Sequence, residues 1–368
     1  MKKVISVVGA RPNFMKVAPI HRAFEKYSNN VQHLIVHTGQ HYDEAMSDSF
    51  FKDLNMPKPS VFLGVGSGSH AEQTAKIMTG FEKVCIEEKP DMVLVAGDVN
   101  STIACALTAV KLGIKLGHVE AGLRSFDRTM PEEINRIATD AICDFAFVTE
   151  QSAINNLLKE GWSNDRIFWV GNTMIDSLKY ALPLALNNNT LSGLGLKPRE
   201  YVLLTLHRPS NVDNPEQFKN LVNILVEFSA FKKIVFPMHP RTLKNIKNFG
   251  LETTFRNTPS IYTLNPAGYI DFLALMINAD FVLTDSGGIQ EETTALQVQC
   301  ITIRRTTERP VTCELGTNIL VDPEPGAIRS LLSDMFSKPR KTGITPPLWD
   351  GRASERIVEV IMKNLFID

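Results

Sequence analysis

Short apolar runs alternate with longer stretches of helical spacing through most of this chain. Val4–Gly9, His33–Thr38, Met92–Ala96, Lys115–Val119, Phe145–Val148 and Ile167–Val170 read as strands. Pro12–Lys26, Ala71–Glu87 and Ser101–Leu112 carry apolar residues at helical intervals. Runs that are apolar throughout, bounded by glycine and separated by helices, predict parallel strands covered on both faces. The alternation pauses at Asn187–Lys197, which is polar and turn-rich, and resumes at Tyr201–Leu206. Ile234–Pro237, Ile261–Leu264, Phe281–Thr284, Cys300–Ile303 and Asn318–Val321 continue it, and Gly351–Phe366 reads as an amphipathic helix. The pattern predicts an α/β protein of two Rossmann-like, doubly wound domains facing across a cleft. Residues 1–186 form the first, 187–198 a linker, 199–350 the second, and 351–368 a helix.

Ligands of such folds sit outside the carboxyl ends of the strands. Arg11, Asp98, Glu120, His207, His239 and Ser286 all fall there. Six of six at one end points to a ligand site lined from both halves. In Thr284-Asp-Ser-Gly-Gly288 a strand stops, two glycines follow, and a helix begins. The unpaired N–H groups and positive dipole of a helix start suit a phosphate, and Ser286, Gly287 and Gly288 allow close approach. Glu291 or Glu292, one turn later, is placed to accept hydrogen bonds from a ribose.

The first turn, Gly9-Ala-Arg-Pro-Asn-Phe-Met-Lys16, is not GxGxxG, so a dinucleotide is disfavoured; Arg11 and Lys16 suit an anion instead. Asp98 and Glu120 end adjacent strands, and Glu132, Glu133 and Arg136 follow in Pro131-Glu-Glu-Ile-Asn-Arg136. Like charges brought together raise at least one carboxyl pKa, as general acid–base work requires. His207 and His239 end strands of the second half and are placed to meet a phosphate or transfer a proton. Arg304, Arg305 and Arg309 reinforce the expectation of an anion, with a basic loop paired to surface acids as the alternative. No P-loop, GxSxG frame or metal-ligand spacing occurs.

Composition narrows the field further. With 39 basic against 40 acidic residues, no global field favours nucleic acid. The five cysteines include no CxxC pair and read as buried thiols of a reducing, cytoplasmic setting. No apolar stretch approaches the ~20 residues of a membrane helix, and no signal peptide is evident at Met1-Lys-Lys.

Together these motifs resemble the non-hydrolysing UDP-N-acetylglucosamine 2-epimerases. The resemblance runs in order through Gly9-Ala-Arg-Pro with Lys16, Thr38-Gly-Gln-His41, Gly97-Asp98, His118-Val-Glu-Ala-Gly-Leu-Arg124, Pro131-Glu-Glu-Ile-Asn-Arg136, His207-Arg208, Thr284–Glu292 and Thr306-Thr-Glu-Arg-Pro310. It implies glycosyltransferase-B architecture, a homodimer, a UDP-sugar substrate and no cofactor or metal. It also implies exchange of UDP-GlcNAc and UDP-ManNAc through elimination and re-addition of UDP. By position it carries catalytic roles onto Asp98, Glu120, Glu132 and His207. It carries diphosphate contacts onto Arg11, Lys16, Arg136, His239, Ser286, Gly287 and Gly288. Glu292 takes the ribose, Phe272 lies beside uracil, Arg309 belongs to the substrate set, and the C-terminal helix returns to the first domain. Tyr42 stands where regulated members have Arg, so activation through Gln40 and His41 is not expected. The short loop Ser125–Met130 and the stretch after His207 keep two alternatives open. One is a 2-epimerase of a modified UDP-sugar such as a 2,3-diacetamido uronic acid; the other is a non-catalytic UDP-sugar sensor.

Overall fold

The computed structural model describes residues 1–40 and 53–366. The chain divides into two compact units, one of residues 1–181 and 347–368, the other of residues 182–346. Unit 1 holds strands β1 (Lys2–Val8), β2 (Val31–His37), β3 (Val61–Phe62), β4 (Met92–Ala96), β5 (Lys115–Val119), β6 (Phe145–Val148) and β7 (Ile167–Trp169). All pair in parallel, in the order β3-β2-β1-β4-β5-β6-β7. Only β3 has no counterpart in the sequence pattern, because two residues are too few to show an alternation.

Unit 2 holds β8 (Tyr201–Thr205), β9 (Lys233–Pro237), β10 (Ile261–Leu264), β11 (Phe281–Thr284), β12 (Cys300–Ile303) and β13 (Asn318–Val321). They are again parallel, in the order β10-β9-β8-β11-β12-β13. In each sheet the first strand lies in the middle and the winding reverses beside it, between β1 and β4 and between β8 and β11. At such a reversal the connections leave in opposite directions and open a crevice at the carboxyl ends. Both units are therefore Rossmann-like.

Side-chain alternation explains why the strands read as unbroken apolar runs. In β8, Val202 and Leu204 face one core with Phe218, Leu225 and Phe228, while Tyr201 and Leu203 face another with Leu275 and Met276. Both faces are covered, so both phases of the period must be apolar. In unit 1, Ile5, Val7, Val93 and Val95 pack against Ile77, Phe81, Val84 and Ala104 of the flanking helices. Each such side chain contributes about 1.5–3 kcal/mol on burial.

Two segments depart from a simple reading of polarity. Residues 187–198 are docked on unit 2 rather than bare. Leu196 is buried, Leu191 and Leu194 pack on the same cluster, and the Asn188 amide donates to Asp271 at 2.9 Å. Leucines spaced through a polar stretch are enough to attach it. The change of unit falls instead inside the helix Thr173–Leu186. The C-terminal helix, Ala353–Leu365, belongs to unit 1. Asp176 caps it, accepting from the Ala353 and Ser354 N–H groups at 3.1 and 2.7 Å and from the Ser354 hydroxyl at 2.6 Å. The buried Trp349 indole donates to the Thr149 carbonyl at 3.1 Å. All five cysteines are free, and burial pushes their thiols up, to about 12 for Cys85 and Cys300. Among the described residues no helix is long and apolar enough to cross a membrane.

Candidate active site

In unit 1 the site begins at the turn after β1. Asn13 accepts the N–H groups of Gly9 and Ala10 at 3.1 and 3.0 Å and donates to the Ala96 carbonyl at 2.7 Å. One amide thus ties the start of the helix Arg11–Glu25 to the end of β4. Arg11 is the first residue of that helix. One turn on, Lys16 is buried and forms an ion pair with the buried Glu120, just beyond β5. Gly97, with φ +67°, lies against the lysine of this pair, and a β-carbon there would stand 2.7 Å from the Lys16 ammonium. Glycine adopts that backbone freely and leaves the lysine its place without displacement. Glu120 itself sits at φ +74°. A left-handed glutamate costs about 1–2 kcal/mol, and such strain clusters at functional sites.

Asp98 follows Gly97 and pairs with Arg136 of the helix Pro131–Ile142. Arg136 is buried and also binds Glu133, so one guanidinium bridges two carboxylates. The adjacent glutamates have separated in role. Glu133 is buried and accepts from the Ser125 and Phe126 N–H groups and the Ser125 hydroxyl, at 2.9–3.1 Å, fixing the loop after β5. Glu132 is half-buried and makes no hydrogen bond or ion pair among the described residues. Asp98 and Glu120 each face a cation of their own unit. Each of these two acids, expected at adjacent strand ends, is thus met by a cation. Lys16 and Arg136, read from sequence as anion contacts, are both engaged with carboxylates.

In unit 2, Ser286 is the residue before the helix Gly287–Leu296, and its side chain does not cap it. Gly287 and Gly288 are the first helical residues rather than a left-handed turn. Gly287 is dictated by packing, since a β-carbon would lie 2.7 Å from a Glu308 oxygen and 3.0 Å from an Arg309 nitrogen. Arg309 is buried between Glu291 and Glu308. Arg304 pairs with Glu308 at 2.8 Å, and the exposed Arg305 reaches Asp322 and Glu324 at 3.2 Å. The three arginines expected to face an anion are each paired with acids of their own unit, one from the same loop and the others from the helix Gly287–Leu296 and the segment after β13. Glu292 accepts from the buried Tyr269 hydroxyl at 2.8 Å. Phe272 is partly buried, on the helix Tyr269–Asn278.

His207 follows β8 and is about one-third exposed, its Nδ1 lying 3.1 Å from Asp285. Asp285 is fully buried and also accepts the His207 and Arg208 N–H groups and the Asn211 amide at 2.9–3.1 Å. Burial works to raise its carboxyl pKa, but the hydrogen bond and charge of His207, with the Arg208 and Asn211 donors, outweigh it and hold the group below the usual carboxylate range. The His239 ring lies 5.2 Å from that of His207. Its Nδ1 accepts the Arg241 N–H at 3.2 Å, so the neutral ring carries its hydrogen on Nε2. His41 and Tyr42 lie outside the described residues.

Asp285, Asn13 and Tyr269 were not singled out from sequence as site residues. Asp285 adjoins Ser286, which was, and for Glu132 and Glu133 only burial and partners separate the positioning acid from its more exposed neighbour.

The family model described as UDP-N-acetylglucosamine 2-epimerase matches residues 23–362. The UDP-N-acetylglucosamine 2-epimerase of Methanocaldococcus jannaschii is 45% identical over 364 residues, 98% of each chain. The enzyme of that name from Methanococcus maripaludis is 43% identical over 366 residues, also 98% of each. The crystal structure of the M. jannaschii enzyme in complex with UDP-GlcNAc and UDP superposes with a TM-score of 0.91 at 46% identity, covering 99% of this chain and all of that one. With two reversing parallel sheets, carboxylates at the strand ends of one and an uncapped helix start with two histidines in the other, the chain belongs to the UDP-N-acetylglucosamine 2-epimerase family.

Proposed function

We propose that this protein interconverts UDP-GlcNAc and UDP-ManNAc by eliminating UDP across C1–C2 and adding it back. The C2 hydrogen has no adjacent carbonyl to acidify it. As the C1–O bond to the diphosphate lengthens, C1 gains oxocarbenium character and the C2–H bond weakens. A carboxylate takes the C2 proton, the C1=C2 double bond forms, and 2-acetamidoglucal and UDP result. UDP then attacks C1 again while a second acid delivers a proton to the other face of C2.

The observation that carries this reading is the division of chemistry between the two sheets. Unit 1 places Asp98 and Glu120 on adjacent strand ends, each with its own cation. Two acids, each paired with a cation, suit proton traffic at two faces of one carbon. Glu132, half-buried and without an ion pair among the described residues, is a third group for it. Unit 2 offers the free N–H groups of a helix start beside histidines 207 and 239, suited to a departing diphosphate. Arg11 and Ser286 through Gly288 belong to that diphosphate set in this reading, Glu292 to the ribose and Phe272 to the uracil. Lys16, Arg136 and Arg309 act through the acids they pair with. We further propose that the enzyme works in the cytoplasm as a homodimer, which light scattering tests.

Incubation with UDP-GlcNAc in D2O, followed by NMR, tests the reaction. Deuterium at C2 together with UDP-ManNAc is expected. UDP binding without exchange refutes the proposal in favour of a sensor, and exchange only with a uronate sugar redirects the specificity.

A further inference from the structure

His118 lies in β5 with no solvent exposure, and both of its ring nitrogens are engaged. Nδ1 is 2.6 Å from Oδ1 of Asp140, and Nε2 is 2.9 Å from the carbonyl oxygen of Gly97. A peptide carbonyl only accepts hydrogen bonds. A carboxylate likewise only accepts, so both contacts require a hydrogen. The remaining question is which side of the Nδ1–Oδ1 contact holds that proton. The other carboxylate oxygen of Asp140 accepts the Gly122 N–H at 3.0 Å and the Arg124 guanidinium at 2.7 Å. These donors stabilise the ionised carboxylate and leave both hydrogens on the ring. Charge balances locally, since Arg124 also holds Glu160 through two contacts at 2.9 and 2.6 Å. His118 and Arg124 thus face Asp140 and Glu160, and the Cys143 thiol turns to the Asp140 carbonyl at 3.6 Å.

The two ends of this arrangement fall on the turns that carry the proposed proton-transfer acids. The Gly97 carbonyl belongs to the peptide joining Gly97 to Asp98. The Gly122 N–H lies two residues beyond Glu120, in the loop leaving β5. At both turns the backbone N–H still follows the sheet, Gly97 donating to Val119 and Glu120 to Phe147 at 3.0 Å, but Gly97 and Glu120 both have positive φ, and beyond them the chain leaves the strand. We propose that His118 is a positioning residue: its ring, held at both nitrogens, ties the Gly97 carbonyl to Asp140 and with it sets the spacing of the Asp98 and Glu120 turns. This rests on the reading of Asp98 and Glu120 as the acids that serve C2.

Two measurements test it separately. The first uses the unsubstituted protein without substrate, labelled with 15N-histidine, the His118 ring being assigned through its backbone correlations. Both His118 nitrogens should show one-bond coupling to hydrogen, since each faces an acceptor. A nitrogen without hydrogen overturns this holding of the ring at both nitrogens, whatever reaction the protein catalyses. The second uses His118→Gln, which retains a polar donor in similar volume. Its kcat for C2 exchange should fall by about 10–100-fold, with KM and UDP affinity within about twofold, since substrate-binding groups of unit 2 are untouched. Unchanged kcat, or a loss confined to KM, overturns the positioning role. If Asp98→Asn and Glu120→Gln both exchange at the unsubstituted rate, the underlying reading of those acids fails, and the NMR result still decides whether the His118 ring is held at both nitrogens.

Discussion

Gly97→Ala probes the point where backbone geometry and site chemistry meet. Two costs arise. Alanine at φ +67° is strained by about 1–2 kcal/mol. Its methyl group would also stand 2.7 Å from the Lys16 ammonium, which must retreat by about 1 Å to reach ordinary contact. The lysine stem is flexible, so the retreat itself is cheap, but it loosens a buried ion pair with Glu120 whose complete loss would cost about 3–5 kcal/mol. A total of about 2–3 kcal/mol follows, lowering the melting temperature of a unit of this size by about 4–12 °C. Gly113→Ala separates the two costs: its φ is +72°, and nothing lies within 4 Å of the added carbon. It should lose only the strain, about 1–2 kcal/mol, and keep full activity. Gly97→Ala should in addition exchange C2 deuterium at least about tenfold more slowly, because Glu120 loses its placed partner. Calorimetry and NMR exchange on the pair give both numbers. Equal melting shifts with equal activity would refute the claim that Gly97 exists to let Lys16 reach Glu120.

Asp98→Asn should reduce turnover by about 10²–10⁴ while UDP affinity, measured calorimetrically, stays within about twofold; unreduced turnover removes Asp98 from proton transfer. Gly287→Ala should weaken UDP binding and destabilise unit 2, since its methyl group meets Glu308 and Arg309 at the helix start; unaltered binding would detach that helix from the diphosphate. His37 gives a pH signature: burial pushes its pKa down to about 4, outweighing a backbone hydrogen bond that raises it. A depressed folded pKa leaves stability intact above the unfolded value near 6.5 and removes it as pH falls toward about 4, with about 2 kcal/mol lost by about pH 5. Urea midpoints at neutral and mildly acidic pH should converge for His37→Asn, which cannot titrate; parallel curves for the two proteins would show that His37 is not held neutral.

The doubly wound architecture was legible along the chain because sheets covered on both faces demand unbroken apolar strands, as Tyr201–Thr205 shows by feeding two cores at once. Strand ends were legible too, and with them Asp98, Glu120, His207, His239 and Ser286, since polarity returns where a buried strand emerges. Pairing was not. Residue type gives the sign of a charge but not its partner, which depends on strand order and on where a long side chain can pass. Sequence alone therefore offered Lys16, Arg136 and Arg309 as anion contacts, whereas the fold sets them against Glu120, Asp98 with Glu133, and Glu291 with Glu308. It offered Glu132 and Glu133 as equals, and the helical twist alone turned one toward Ser125 and left the other half exposed. The protonation of His118 belongs to the same class. Residue type leaves the hydrogens of an imidazole open, and only the carbonyl of Gly97, just beyond β4, and a carboxylate from a helix, closing on its two nitrogens, direct a hydrogen to each.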